Sequence, residues 1–253
     1  MHILRTHQTI SPCLDELKLH GAAGCSGRLV IRPGGEGPQA QLVAWALGHP
    51  FGTSARSTRA REAGFADTIP YPLFLKSTLI EIGGYDTQLH RNQDNDLSQR
   101  LRARGHRLYI TGKTSCEYFV SPDLVSLAKY AFRYGFWNII SFKANPACMS
   151  MRRFVPGAFV AALLLSILMF LISMGVSPQP QLWLQGPFFL LGVIYGAASI
   201  GAACHVALSK RAVGALLIPI VFLLLHVSYG IGTLSAIVSN AHRPSSKLIN
   251  NAK

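Results

Sequence analysis

Residues 154–176 read FVPGAFVAALLLSILMFLISMGV, twenty-three positions without a charged side chain. A hydrocarbon core about 30 Å thick needs about 20 such residues in a helix. Reading on toward the C-terminus, two more apolar runs follow, at about 183–208 and 213–239. Between residues 154 and 240 the only charges are Lys210 and Arg211. Three transmembrane helices are therefore expected over residues 154–240, with a basic tail at 241–253.

Reading toward the N-terminus, the material changes at Arg152-Arg153. All 11 acids lie at or before Asp123, and most of the 24 Lys and Arg lie before residue 154. The net charge of +13 suits anionic lipid, phosphorylated substrates or nucleic acid. No DNA- or RNA-binding motif accompanies the charge, so lipid headgroups and a diphosphate are the expected partners and nucleic acid is not. Arg152-Arg153 and Lys210-Arg211 flank the spans, whereas the loop 177–181 (SPQPQ) is uncharged. By the positive-inside rule the N-terminal part is cytoplasmic, in a multi-pass protein of the inner membrane. The rule then sends the tail outside, although it carries Arg243, Lys247 and Lys253. His226, Gly230 and Gly232 leave open a third segment that bends and returns.

Residues 124–142, LVSLAKYAFRYGFWNIISF, mix aliphatic and aromatic side chains with Lys129 and Arg133. Tyr and Trp settle at headgroup level. An interfacial amphipathic helix is expected within 121–153, the alternative being a buried core helix.

Residues 1–120 give a thinner signal. Strands are expected at 28–31, 108–111 and 116–120, helices at 39–47, 76–82 and 92–105, and a basic loop at 52–61. Gly83-Gly84 stops the helix at 76–82, because glycine accepts the left-handed conformation. Acids at the start and arginines at the end of 92–105 match the helix dipole. The first 25 residues have weak periodicity, and Met1–Gly21 has no apolar signal-peptide core. Alternating helix and strand implies an α/β layer. Five scattered cysteines, without a C-x-x-C pair, give no disulfide framework and no zinc site.

The chemistry concentrates at 83–105, GGYDTQLHRNQDNDLSQRLRARG. Asp86, Asp94 and Asp96 cluster at a helix start, where a carboxylate is either a cap or a catalytic group. GGYD followed by RNQDNDLSQRLR resembles glycosyltransferase family 2, in its membrane-anchored bacterial exopolysaccharide (succinoglycan) type. HPFGTSARS, ADTIPYPLFLKSTLIEIGGYD, LAKYAFRYGFWN and HVSYGIGTLSAI resemble further stretches of that family in the same order, from about Cys25 to Ile237.

The resemblance implies a partial GT-A-like α/β domain followed by the interfacial helix and about three transmembrane helices. It also implies inverting sugar transfer from a nucleotide-sugar to a polysaccharide or lipid-linked acceptor. Asp94 is then the general base. Gln93 and Asp96 are substrate-side residues, Asp67 of ADT contacts donor or acceptor, and Arg133 with Lys129 binds the departing diphosphate. The competing reading of Lys129 and Arg133 is a pair of lipid-facing cations. The family uses a divalent cation, Mg or Mn, held by a D-x-D. Asp94-Asn95-Asp96 imitates that spelling out of register, so no metal ligand is assigned in this chain.

Residues 1–24 carry none of the family's nucleotide-binding features. A separate N-terminal half is an expected partner, and activity of the chain alone is in question. The alternative function is a non-catalytic anchoring or regulatory component of a polysaccharide assembly complex. A transporter is disfavoured, since His205 and His226 are the only imidazoles in the spans.

Overall fold

A five-stranded mixed sheet carries the N-terminal part of the computed structural model, which describes residues 3–5, 10–53, 63–87, 89, 91–148, 150–175 and 178–239. Its strands are β1 (Ile3–Arg5), β2 (Gly24–Arg32), β3 (Gly64–Phe65), β4 (Leu73–Phe74) and β5 (Leu108–Phe119). Their order is β1-β5-β2-β4, with β3 also on β5. β2 and β5 pair in parallel and the other pairings are antiparallel. Helices α1 (Ile10–His20), α2 (Pro38–Gly48), the single turn α3 (Pro50–Thr53), α4 (Lys76–Ile82) and α5 (Gln93–Ala103) accompany the sheet. The α/β layer expected from the sequence is present.

Two expectations are corrected. The two strands read at 108–111 and 116–120 are one, β5. Gly112, Lys113 and Thr114 bulge out between Gly27↔Thr111 and Arg28↔Ser115, so the ladder slips and continues. Gly27 permits this, because a Cβ there would stand 3.0 Å from the Thr114 carbonyl oxygen. The weakly patterned first 25 residues form β1 and α1. Cys13 and Leu17 of α1 pack with Ala22 and Cys25 into a small core of their own, too short a stripe to give a clear period. The expected loop at 52–61 begins as the end of α3, and its residues 54–61 lie outside the described set, as do Ser177 and the tail from residue 240.

α6 (Leu124–Ala144) opens on Asp123, whose carboxylate accepts from the Ser126 N–H at 2.7 Å and the Ser126 hydroxyl at 2.8 Å. Those bonds, the backbone one first, hold the Asp123 carboxyl below its ordinary range. After a 3-10 turn at Met151–Phe154 come α7 (Val155–Ser173), α8 (Pro178–Lys210) and α9 (Ile218–Val238). Three segments, Met151–Ser173, Gln181–Lys210 and Val213–Val238, are long and apolar enough to cross a membrane. They match the three runs seen in the sequence.

These helices are not equivalent. α7 exposes Leu164, Leu165, Leu168, Leu171 and Ile172. α9 instead lies against the rest of the protein along most of its length. Ile218, Val221, Phe222, Leu225 and Tyr229 share one apolar core with Leu29 of β2, Val43 and Leu47 of α2, Tyr118 of β5 and Leu127 of α6. Ala203 and Val206 near the end of α8 join the same core. The core thus runs unbroken across residues 120 and 153, where the sequence suggested boundaries. α6 and α9 meet backbone to backbone. A Cβ on Gly135 would come 2.1 Å from the Tyr229 carbonyl oxygen, and one on Gly232 equally close to that of Phe132.

Candidate active site

α4 ends on two glycines in the left-handed region, Gly83 at φ 80° and Gly84 at φ 67°. Gly84 N–H donates back to the Leu79 carbonyl at 2.9 Å. Only glycine takes such successive angles without strain. The turn delivers Tyr85 and Asp86 to the start of α5. Arg100, two turns into α5, fastens it from below. Its guanidinium donates to the Gly84 carbonyl at 2.7 Å, to the Ile82 carbonyl at 3.0 Å and to the Asp96 carboxylate at 2.8 Å.

Asp96 is 4% exposed and its other oxygen accepts from Asn145 Nδ2 at 2.9 Å. Asn145, just past α6, also donates to Gln99 Oε1 at 3.1 Å. Gly83, Gly84, Tyr85, Asp86, Asp96, Arg100, Ala144 and Asn145 line an open polar cavity of about 390 Å³.

The residue that starts α5, Asn92, is itself left-handed, at φ 63°. Its side chain does not cap the helix. It turns away and donates to Asn138 Oδ1 at 2.9 Å and Ser141 Oγ at 3.1 Å, both on the buried face of α6. Asn95 Nδ2 closes back on Asn92 Oδ1 at 3.3 Å, and Asn95 Oδ1 accepts from Arg153 at 2.8 Å. Asn138 also donates to the Tyr229 hydroxyl, which itself donates to the Arg153 carbonyl at 2.9 Å. Buried amides are tolerated only when their hydrogen bonds are made, and a satisfied network of this kind rigidifies what it joins.

The first turn of α5 therefore holds Gln93, Asp94 and Asp96 on a fixed frame. Gln93 Nε2 donates to the Leu89 carbonyl. Asp94 is exposed at the first turn. Tyr85 is 45% exposed, and its phenol is pushed above its ordinary pKa by burial and by the negative charge of Asp94. Tyr85 and Asp96 line the cavity, and Asp94 is not among its lining residues. The two acids thus differ: Asp96 is buried and built into the scaffold, and Asp94 is exposed on the first turn of the same helix.

Asp67 lies elsewhere. It is exposed, 3.7 Å from Arg102, at the opposite end of α5 from Asp94. Its neighbour Thr68 is tied to α5 by a 3.2 Å contact with the Ser98 hydroxyl. Lys129 and Arg133 are exposed on α6 and line a second cavity, of about 330 Å³, with Ala128, Phe132, Ser228 and Ile231. No residue is common to the two cavities. Among the described residues no group of three or more His, Cys, Asp or Glu could hold a metal ion.

Asn138, Asn145 and Tyr229 are not singled out by the sequence, and Arg100 and Arg153 enter it only as a helix-end charge and a span-flanking charge. Asn138 carried the one available hint, an amide inside the apolar half of an otherwise amphipathic helix.

No protein-family model matches the chain. Over 152 residues it is 29% identical to the succinoglycan biosynthesis protein ExoA of Rhizobium meliloti (strain 1021), a match covering 60% of this chain and 42% of that protein. The succinoglycan-type resemblance carried by GGYD and RNQDNDLSQRLR thus meets a named relative. With its mixed α/β part and three helices long and apolar enough to cross a membrane, the chain is similar, over less than half of the relative's length, to a bacterial succinoglycan biosynthesis protein.

Proposed function

We propose that the chain supplies the acceptor side and general base of an inverting glycosyltransferase that builds an exopolysaccharide at the inner membrane. The observation that carries this reading is the division of labour between Asp96, buried and paired with Arg100, and Asp94, exposed on the first turn of the same helix. An acceptor hydroxyl needs a carboxylate within hydrogen-bond reach as it attacks. Its oxygen forms the new bond to the anomeric carbon, its proton passes to Asp94, and the anomeric C–O bond to the nucleoside diphosphate breaks on the opposite face. The polar cavity beside Tyr85 suits a sugar hydroxyl face, whether on a polysaccharide or on a lipid-linked acceptor.

The resemblance expects a nucleotide-sugar donor, a divalent cation and a partnering N-terminal half. On this reading the α/β part faces the cytoplasm, with Arg152-Arg153 and Lys210-Arg211 on that side.

The test is transfer of labelled sugar from nucleotide-sugars into lipid-extractable and polymeric product, in membranes carrying the chain. Asp94→Asn is expected to lower transfer by at least about a hundredfold with unchanged membrane expression. Retained turnover would remove Asp94 as the base. Absence of transfer by the wild-type chain would leave it the anchoring role in an assembly complex.

A further inference from the structure

The second cavity lies between α6 and α9, away from Asp94. Its floor is Ala128 and Phe132 of α6 with Ile231 of α9, and Ser228 adds a hydroxyl. Lys129 and Arg133 stand one helical turn apart at its rim. Both are exposed and neither is in a salt bridge among the described residues, although Lys129 is close enough to Asp123 at the start of α6 for its charge to be felt there. Two cations over an apolar floor, next to a polar hydroxyl, complement a molecule with a phosphate at one end and hydrocarbon at the other.

The level of the groove in the bilayer follows from its neighbours. Ser228 and Ile231 belong to a helix apolar enough to cross a membrane, yet α6 lies against it there with two charges. Charged side chains are expensive at a bilayer centre and reach for the interface instead. The Arg152-Arg153 pair sits at the same height. Tyr229 hydrogen-bonds to the Arg153 carbonyl, and a Cβ on Gly230 would meet the Pro156 carbonyl oxygen at the start of α7. Arg152, Arg153, Lys129 and Arg133 therefore form one basic tier at headgroup depth.

We propose that the α6–α9 groove seats the phosphate headgroup of an anionic membrane phospholipid, with Lys129 and Arg133 on the phosphate and an acyl chain over Phe132 and Ile231. The lipid would complete the face of α9 that the protein leaves open.

The experiment uses the whole chain in neutral detergent, equilibrated with labelled phosphatidylglycerol or phosphatidylcholine, and counts the lipid retained after gel filtration. The wild type is expected to hold phosphatidylglycerol in preference, by at least about tenfold. Each cation near a membrane surface is worth roughly fivefold in affinity for anionic lipid, so Lys129→Gln with Arg133→Gln is expected to erase the preference. Lys143→Gln removes an exposed charge elsewhere on α6 and is expected to keep it. Absence of a preference in the wild type overturns the assignment. So does a preference that survives the double variant or is lost equally in Lys143→Gln. Release of the lipid by micromolar uridine diphosphate, with uridine diphosphate binding lost in the double variant, also overturns it and gives the pair to a nucleotide donor.

Discussion

The guanidinium of Arg153, at the entry to α7, donates to Asn95 Oδ1 at 2.8 Å, so the segment that enters the membrane also holds the first turn of α5. The same guanidinium reaches the Tyr134 hydroxyl at 3.3 Å. Arg153→Ala removes the donor to the buried Asn95 Oδ1. A hydrogen bond to a charged group contributes about 1.5–3 kcal/mol. The expected outcome is a lower melting temperature in detergent and faster amide exchange over residues 92–96, with α1 and β1 unaffected. Uniform exchange throughout would show that the network does not reach α5.

Asp96 and Asp94 are expected to separate cleanly on substitution. Asp96→Asn weakens the ion pair to Arg100 and loosens the Gly83–Gly84 turn, costing about 2 kcal/mol of stability. Asp94→Asn removes an exposed charge, for which changes within about 0.5 kcal/mol are usual. Thermal unfolding of the two variants side by side checks this. Equal losses would mean that Asp94 is also structural.

Much of this arrangement was legible in the chain. The uncharged runs gave the three apolar helices, Gly83-Gly84 gave the end of α4, and the acid-to-base gradient gave α5. The bulge in β5 was not legible, because Gly112 to Thr114 has the composition of a strand end and continues only because β2 lies alongside. The partners of Asn92 were not legible either. They come from Asn138 and Ser141, brought close by the packing of α6 and by no local pattern. Lys129 and Arg133 lie in LAKYAFRYGFWN, where the resemblance expects a diphosphate site, yet they line a cavity that shares no residue with the one beside Asp96, since helical position decides which face a side chain shares.

The glycines of the α6–α9 contact are expected to be intolerant. Gly135→Ala and Gly232→Ala each place a methyl group about 2 Å from a backbone carbonyl oxygen on the facing helix. A backbone atom cannot rotate away, so the helices must part, at a cost of about 1–3 kcal/mol. Gly192→Ala in α8 meets nothing within 4 Å and serves as the comparison. Equal melting temperatures for all three would contradict the close approach.

His49 connects the α2–α3 corner to α8. Its Nδ1 accepts from the Phe51 N–H at 3.1 Å, so Nε2 carries the proton and faces His205 Nδ1 at 3.2 Å. Burial, and then the neighbouring His205, lower the His49 pKa from its ordinary value. A histidine with a depressed folded pKa contributes stability above its unfolded pKa of about 6.5, and that contribution is lost as pH falls through the folded value. Protonation on Nδ1 also costs the Phe51 bond. Melting temperature is expected to fall as pH drops below about 6.5, and His49→Asn is expected to flatten that fall. An unchanged slope in the variant would place the titration elsewhere.

The proposed lipid groove bears on which helices cross the membrane. α8 is 33 residues long, about 50 Å, well beyond a hydrocarbon core of about 30 Å. Its last turns, at Ala203 and Val206, share a core with the sheet, and so does the first half of α9. Ser228 and Ile231 of α9 line the groove with Lys129 and Arg133. On the proposed headgroup-level placement of that groove, α9 has about two turns beyond it, too few for a crossing. α7 and the first part of α8 are then expected to span the bilayer as a hairpin, with Ser239 on the side of Lys210-Arg211. Single cysteines at Ser239 and at Lys210 are expected to react with an impermeant maleimide from the same side, and one at Gly175 from the other. Labelling of Ser239 together with Gly175 would mean that α9 crosses the membrane after all and that the cations of α6 are carried beside it.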